Sequence, residues 1–364
     1  MQSQDPALAC LVDQVRHAQA RGSSLRIVGG NSKAFYGRPA DGAPLDVRPL
    51  SGVSSYEPSE LVVTARAGTT LKELEAALDE HQQFLPFDPP RYAVGGTVGG
   101  MVAAGLAGPS RASVGSVRDH VLGVTLLNGR AEVLTFGGQV AKNVAGYDVS
   151  RLMVGALGIL GVICEVSIKV LPQPKALLTL RFDCAEGEAR QRLDGWASQA
   201  LPLNASAWID GQLMVRLCGA RAAVAEAAKR LGGEALEPDA ARRWWDSIRD
   251  QQHPFFGVAP AQLAAGERVW RVCVPRTAGA LALDGTQLLE WHGAQRWWRT
   301  RSDVATIRRV ATAARGHATL FRGPAGEADV FQPLSTALLK IHQGLKRSFD
   351  PHSLFNPGRL YAEL

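Results

Sequence analysis

Cysteine is scarce and scattered. The 364 residues contain five, Cys10, Cys164, Cys184, Cys218 and Cys273, without Cys-x-x-Cys spacing. That pattern argues against a disulfide framework and against an iron–sulfur or zinc site, so no metal is expected, and it suits a reducing cytoplasm. Long apolar runs are missing as well: no stretch reaches the 18 or so apolar residues that a membrane-crossing helix needs. The opening Met1-Gln2-Ser3-Gln4-Asp5-Pro6 has no basic region followed by an apolar one, so no signal peptide is expected. Neither a P-loop nor the usual dinucleotide fingerprint occurs. The net charge of +6 comes mostly from arginines spread along the chain. Pairs such as Arg242-Arg243 and Arg308-Arg309 read as solvated faces and ion pairs, because no nucleic-acid motif accompanies them, and no nucleic-acid partner is expected. An apolar share of 46% with 20% charged residues belongs to a soluble globular protein. The length implies two domains of roughly 150–200 residues each.

Glycine is what the chain has. Val28-Gly29-Gly30-Asn31-Ser32-Lys33 and Gly95-Gly96-Thr97-Val98-Gly99-Gly100 form two glycine-dense loops near the start. Without a Cβ, their backbone N–H groups can approach an anion closely, and positive φ is open to them. Ser32 adds a hydroxyl, and Lys33 or Arg26 adds positive charge. A dinucleotide pyrophosphate fits two such loops. An ordinary strand-to-loop turn is the alternative for the first loop alone. A third element, Lys142 to Asp148 with Gly146 and Tyr147, precedes Gly155 and Gly158-Ile159-Leu160-Gly161-Val162-Ile163. Its glycines offer smooth backbone to a flat ring system, or else close helix-to-strand packing.

Around these loops the hydrophobic spacing predicts a helix over 7–20, strands at 25–28, 45–47 and 61–65, and a helix opening at Thr69 or Thr70. A hairpin is expected around Asn128-Gly129, and a half-buried strand over 162–170. Leu171-Pro172-Gln173-Pro174 breaks the pattern, as an interdomain connection would. Beyond it, 176–183, 186–199, 207–217, 219–231, 268–274, 301–314 and 317–321 read as strands and helices of an α+β domain, with helices on one face of a sheet. A last helix spans Leu334 to Phe349. Trp244-Trp245 and Trp297-Trp298 suit either a partner interface or a domain core.

The order strand–Gly-Gly-Asn-Ser, Ala67-Gly68-Thr69 opening a helix, Gly-Gly-Thr-Val-Gly-Gly, then Gly158 to Val166 resembles the FAD-binding module of the vanillyl-alcohol oxidase / p-cresol methylhydroxylase (PCMH) superfamily. Lys142 to Leu152, His317 to Arg322 and Phe349-Asp350-Pro351-His352-Ser353-Leu354-Phe355-Asn356-Pro357-Gly358-Arg359 extend the resemblance to the FAD-binding subunits of bacterial glycolate oxidases. It implies an α+β, two-lobed PCMH-type fold: an FAD domain over 1–174, an α+β cap over 175–330, and a segment over 331–364 returning to the FAD domain. FAD would be held at Val28, Gly29, Gly30, Asn31, Ser32, Lys33, Gly95, Gly96, Thr97, Gly99, Gly100, Lys142, Gly146, Tyr147, Gly158, Gly161, Val162, Ile163 and Asn356. Some relatives attach the flavin covalently to a histidine in the first loop. Asn31 stands there and has no nucleophilic ring nitrogen, so a non-covalent link is expected.

The implied reaction is oxidation of a small 2-hydroxy acid such as glycolate. It needs a base for the hydroxyl proton and a cation for the carboxylate. His317 and Arg322 are the catalytic candidates; Arg359 is an alternative cation. Relatives that act alone carry a histidine-rich segment near the end of the cap, and here no second histidine follows His317 closely. Two roles therefore stand: substrate oxidation by this chain, or a structural or relay flavin beside a related flavoprotein subunit that carries the substrate site. The resemblance also implies an iron–sulfur subunit, and membrane contact only indirectly, at the inner face, through such partners.

Overall fold

The computed structural model describes residues 5–138, 147–324 and 330–364. The chain divides into two compact units, one of residues 1–106, 116–173 and 333–364, the other of residues 107–115 and 174–332. The chain leaves the first unit at the double-proline break. The short segment Ala107–Gly115, inside the FAD domain as delimited by sequence, belongs to the second unit. Among the described residues no helix is long and apolar enough to cross a membrane.

The first unit opens with the helix Pro6–Arg21, whose N-terminal N–H groups at Ala7 and Leu8 donate to Asp5 and which ends at Gly22 in the left-handed region. Its Leu11, Val15 and Ala18 stripe packs on Leu25, Leu45, Val47, Leu127, Val162 and Phe355. Strand Leu25–Val28 runs parallel to Ala43–Asp46. Beside them is a five-stranded antiparallel sheet in the order Val53–Glu57, Val62–Arg66, Val162–Lys169, Val121–Leu127, Val133–Gly137. The central place of Val162–Lys169 makes it more buried than its alternation suggests: Ser167, on the polar side, is buried and bonds Thr64 Oγ1 at 2.9 Å. Helix Leu71–Asp79 starts with a Thr70/Glu73 capping box.

The Asn128-Gly129 hairpin forms, with a turn unlike the two-residue type the dipeptide favours. Five residues, 128–132, connect the strands, and Asn128 Oδ1 accepts from the N–H groups of Arg130 and Glu132. The left-handed residue is Ala131, at φ +61°. Gly129 serves close approach: a side chain there would collide with Asp350, and its N–H donates to Phe349 O at 2.8 Å.

The second unit is an eight-stranded antiparallel sheet in the order Glu234–Ala235, Ala176–Asp183, Gln212–Gly219, Leu203–Ile209, Thr286–Glu290, Gln295–Thr300, Arg268–Cys273, His317–Arg322. The stretch 207–217, one element by sequence, belongs to a hairpin turning at Asp210-Gly211, both at positive φ (+49° and +81°). Helices cover both faces, a correction to the one-face expectation that follows from strand parity. Leu213, Val215 and Leu217 meet helices Glu186–Ala197 and Arg221–Leu231, whereas Met214, Ala205 and Ala207 meet Trp245 of helix Pro238–Arg249. Trp245, Trp297 and Trp298 are buried, so the tryptophan pairs fill the interior of this unit.

The last helix, Thr336–Phe349, returns to the first unit. Its Lys346 ammonium is buried and donates to Asp350 Oδ2 (2.8 Å), Ile159 O (2.7 Å) and Phe355 O (2.9 Å), while Asp350 also accepts from the Leu354 and Phe355 N–H groups. Removing one member of a buried pair leaves the other charge uncompensated. Asp350→Ala should therefore destabilise the protein by about 3–5 kcal/mol, read as a lower midpoint of denaturant unfolding.

Candidate functional site

Strand Leu25–Val28 delivers the chain directly into the first glycine loop, and the second lies against it. A side chain at Gly30 would overlap the Gly95 carbonyl, and one at Gly29 would come within 2.8 Å of Thr97 Oγ1. The loops need glycine first for each other. They then divide in their hydrogen bonding. In the second loop the N–H groups of Val98, Gly99 and Gly100 donate to Thr69 O (2.9 Å), Ala67 O (2.8 Å) and Thr97 Oγ1 (3.2 Å), and Gly96 O accepts from Leu71 N–H (2.8 Å). The amides that the sequence offered to an anion there are thus engaged within the protein. Among the described residues, the N–H groups of Gly29, Gly30, Asn31 and Ser32 donate to no protein acceptor. Asn31 sits at φ +54°, which curls this run of amides.

A cavity of about 150 Å³, opening into a groove of about 930 Å³, lies in front of them. Its walls carry Gly29, Gly30, Asn31, Ser32, Lys33, Thr97, Gly99, Gly100, Gly158, Gly161, Ile163 and Asn356 from the expected set. Arg26, Ile27, Ala34, Ala40, Val47, Ala103, Ala104, Leu157 and Arg359 complete it. Arg26, Lys33 and Arg359 supply positive charge, and no Asp or Glu lines the cavity. The small residues Ala103 and Ala104, directly after the second loop, were the sequence signal for this wall.

Other expected residues stand apart. Val28 ends its strand and accepts from Val47 N–H; Gly95 and Gly96 shape the second loop behind the wall; Val162 is part of the core. Tyr147 is 96% exposed, while Lys142 and Gly146 lie outside the described residues. Asn356 reaches the cavity wall, yet its amide holds the wall together: Oδ1 accepts from Ile27 N–H at 2.9 Å, and Nδ2 donates to Leu157 O at 2.7 Å. A side chain at Gly158, at φ +75°, would press on that same amide. Arg359 donates to the carbonyls of Arg38, Ala34 and Tyr36 at 2.7–2.8 Å, fastening the end of the first loop. Burial, aided by the neighbouring Arg26 charge, pushes its pKa below the usual arginine value.

In the second unit His317 and Arg322 mark the two ends of one strand, roughly 16 Å apart at the usual rise per residue. Arg322 donates to Gln251 Oε1 at 2.9 Å. The structure does not bring the two together. His317 is exposed, with Arg271 and Arg111 nearby; partial desolvation and these two charges hold its pKa below the usual histidine value. Among the described residues, no group of three His, Cys, Asp or Glu side chains could hold a metal ion.

Residues 9–148 match the FAD binding domain family. The glycolate oxidase subunit GlcE of Escherichia coli (strain K12) is 47% identical over 354 residues, which cover 97% of each chain. The chain belongs to the GlcE family of glycolate oxidase subunits. It is accordingly an FAD-dependent oxidoreductase subunit of the PCMH-type superfamily. The glycolate oxidase subunit GlcD of Bacillus subtilis (strain 168) is 29% identical over 161 residues, 44% of this chain and 33% of its own. Among solved structures, an alkyldihydroxyacetonephosphate synthase shares the fold, with a TM-score of 0.64 at 14% identity over 95% of this chain and 74% of its own.

FAD is the cofactor of this family member, and the residues present fit it. Four unengaged amides and three cations face a cavity without carboxylates, as a pyrophosphate requires. Gly30→Ala should drive the two loops apart and weaken FAD binding about tenfold or more, ~1.4 kcal/mol. The measurement is flavin released per chain on acid precipitation. For the wild type the same measurement should leave the yellow colour in the supernatant, since Asn31 offers no attachment point.

Proposed function

We propose that this chain is the FAD-bearing subunit of a complex that oxidises glycolate or a similar small 2-hydroxy acid to the 2-oxo acid. The carboxylate-free cavity at the first glycine loop, in a chain of this family, carries the reading. Bound FAD would supply the hydride acceptor. An imidazole nitrogen of His317 would take the hydroxyl proton, being neutral at pH 7 because its pKa lies below the usual value of about 6.5. Gly29 to Ser32 would hold the pyrophosphate by their amides, with Lys33 and Arg26 neutralising it. The expected partners are a related flavoprotein subunit and an iron–sulfur subunit that passes electrons on. The proposed location is the cytoplasm, with peripheral contact to the inner face of the membrane only through those partners.

The distance between His317 and Arg322 supports a second reading, in which this FAD is structural or relays electrons and the partner flavoprotein carries the substrate site. Anaerobic addition of glycolate to the isolated chain separates the two. Bleaching of the flavin without partners supports oxidation by this chain, and bleaching only after partner addition supports the relay. If this chain oxidises substrate, activity should fall as the pH drops through a value below about 6.5, where His317 becomes protonated. His317→Gln should lower turnover roughly a hundredfold or more and abolish that acid limb.

A further inference from the structure

The hairpin joining Thr286–Glu290 to Gln295–Thr300 turns through Trp291 and His292, two consecutive non-glycine residues in the left-handed region (φ +52° and +55°). Such backbone is costly and persists only where its surroundings enforce it. Both side chains are used on one target, the segment Ala107–Gly115. Trp291 Nε1–H donates to Gly108 O at 2.9 Å. His292 Nε2 meets Ser113 Oγ at 3.1 Å, and its Nδ1 meets Ser206 Oγ at 2.9 Å. Burial and the nearby Arg276 charge push His292 down to about 4, so the ring is neutral and can accept at one nitrogen while donating at the other.

What the segment gains is a fixed Arg111. Its guanidinium stacks on the Trp291 ring at 4.3 Å, and the residue is exposed. The turn adjoins the end of the sheet where Cys273 pairs with Gln295 on one side and His317 on the other; Arg271 pairs with Thr319. Paired and alternate residues share a face, so Arg271 and His317 are diagonal neighbours, about 7–8 Å apart in such ladders. Among the described residues Arg111 forms no ion pair with a carboxylate. Holding a second guanidinium beside Arg271 and His317 is unfavourable unless an anion joins them.

We infer that Arg111 is a substrate-recognising residue: with Arg271 it takes the carboxylate of the 2-hydroxy acid and turns the hydroxyl toward His317, and the Trp291-His292 turn positions it. This inference rests on the reading that the chain itself carries a substrate site. Oxalate, a non-oxidisable carboxylate, is the probe, titrated calorimetrically into the FAD-loaded full-length chain. Wild type should bind it, Arg111→Ala should weaken binding at least tenfold, and Arg111→Lys should recover part of the loss, all with unchanged flavin content. Trp291→Phe keeps a ring under Arg111 but loses the bond to Gly108; in the assembled complex it should raise KM for glycolate while holding kcat. Equal oxalate affinity in wild type and Arg111→Ala, or no binding by wild type, would overturn the inference. Glycolate turnover by the wild-type complex is scored separately. Turnover that persists with an unaltered KM in Arg111→Ala removes this role and leaves the oxidase reading standing, whereas absence of wild-type turnover removes that reading.

Discussion

The buried Lys346–Asp350 pair is the constraint on which the cofactor lobe depends. An ammonium and a carboxylate with side-chain exposures of 5% and 0% are expensive to desolvate, and their attraction offsets this only when every remaining proton and lone pair is used. Here they are used. Three acceptors surround Nζ, and two backbone N–H groups complete Asp350. Burial pulls the lysine below its usual pKa while Asp350 pushes it back. The geometry this demands fixes Leu354 and Phe355 alongside Leu25, where Leu25 N–H donates to Leu354 O and Asn356 N–H to Leu25 O. Asn356 is thereby placed to tie Ile27 to Leu157. A cavity built from residues distant in sequence thus has its walls spaced by one ion pair outside it.

The two glycine loops look alike in sequence and act differently for a simple reason. An N–H group can serve a ligand only if the fold leaves it without a partner. The second loop enters helix Val98–Ala104 and docks on Ala67 and Thr69, so its amides are engaged by the fold. The first leaves a strand whose neighbour ends at Asp46, and no strand continues alongside Gly29 to Ser32. One loop presents donors; the other holds it in place.

Much of this was legible. Periodicity located the helices and most strands because each buries one stripe or face, as with Leu11, Val15 and Ala18. Caps were readable where local chemistry decides them, as at Thr70. The double proline stood where the chain passes between units. What sequence could not give were contacts at long range. Gly129 reads as a hairpin glycine, yet it is excluded from carrying a side chain by Asp350, more than two hundred residues on. Asn356 reads as a turn residue and works as a clamp. The Asp210-Gly211 hairpin was readable and missed, because the apolar run on both sides resembles one continuous strand. The membership of Ala107–Gly115 in the second unit depends on Trp291 and His292, which no local pattern connects to it.

Arginine, more than lysine, supplies the positive charge at both places where an anion is expected, and the reason is solvation. A lysine withdrawn from water drifts toward neutrality, as Lys346 shows even with a carboxylate at 2.8 Å. A guanidinium starts so far above neutrality that burial and a like charge leave it cationic. Arg359, desolvated beside Arg26, can therefore bond three carbonyls at the cavity wall and still contribute its charge. Arg111 and Arg271 can likewise stand near one another without either losing its proton. The histidine between them yields instead: its pKa falls, which is the protonation state a base needs. Clustered arginines thus do two things at once in such a site, attracting a carboxylate and keeping the neighbouring imidazole free to accept a proton.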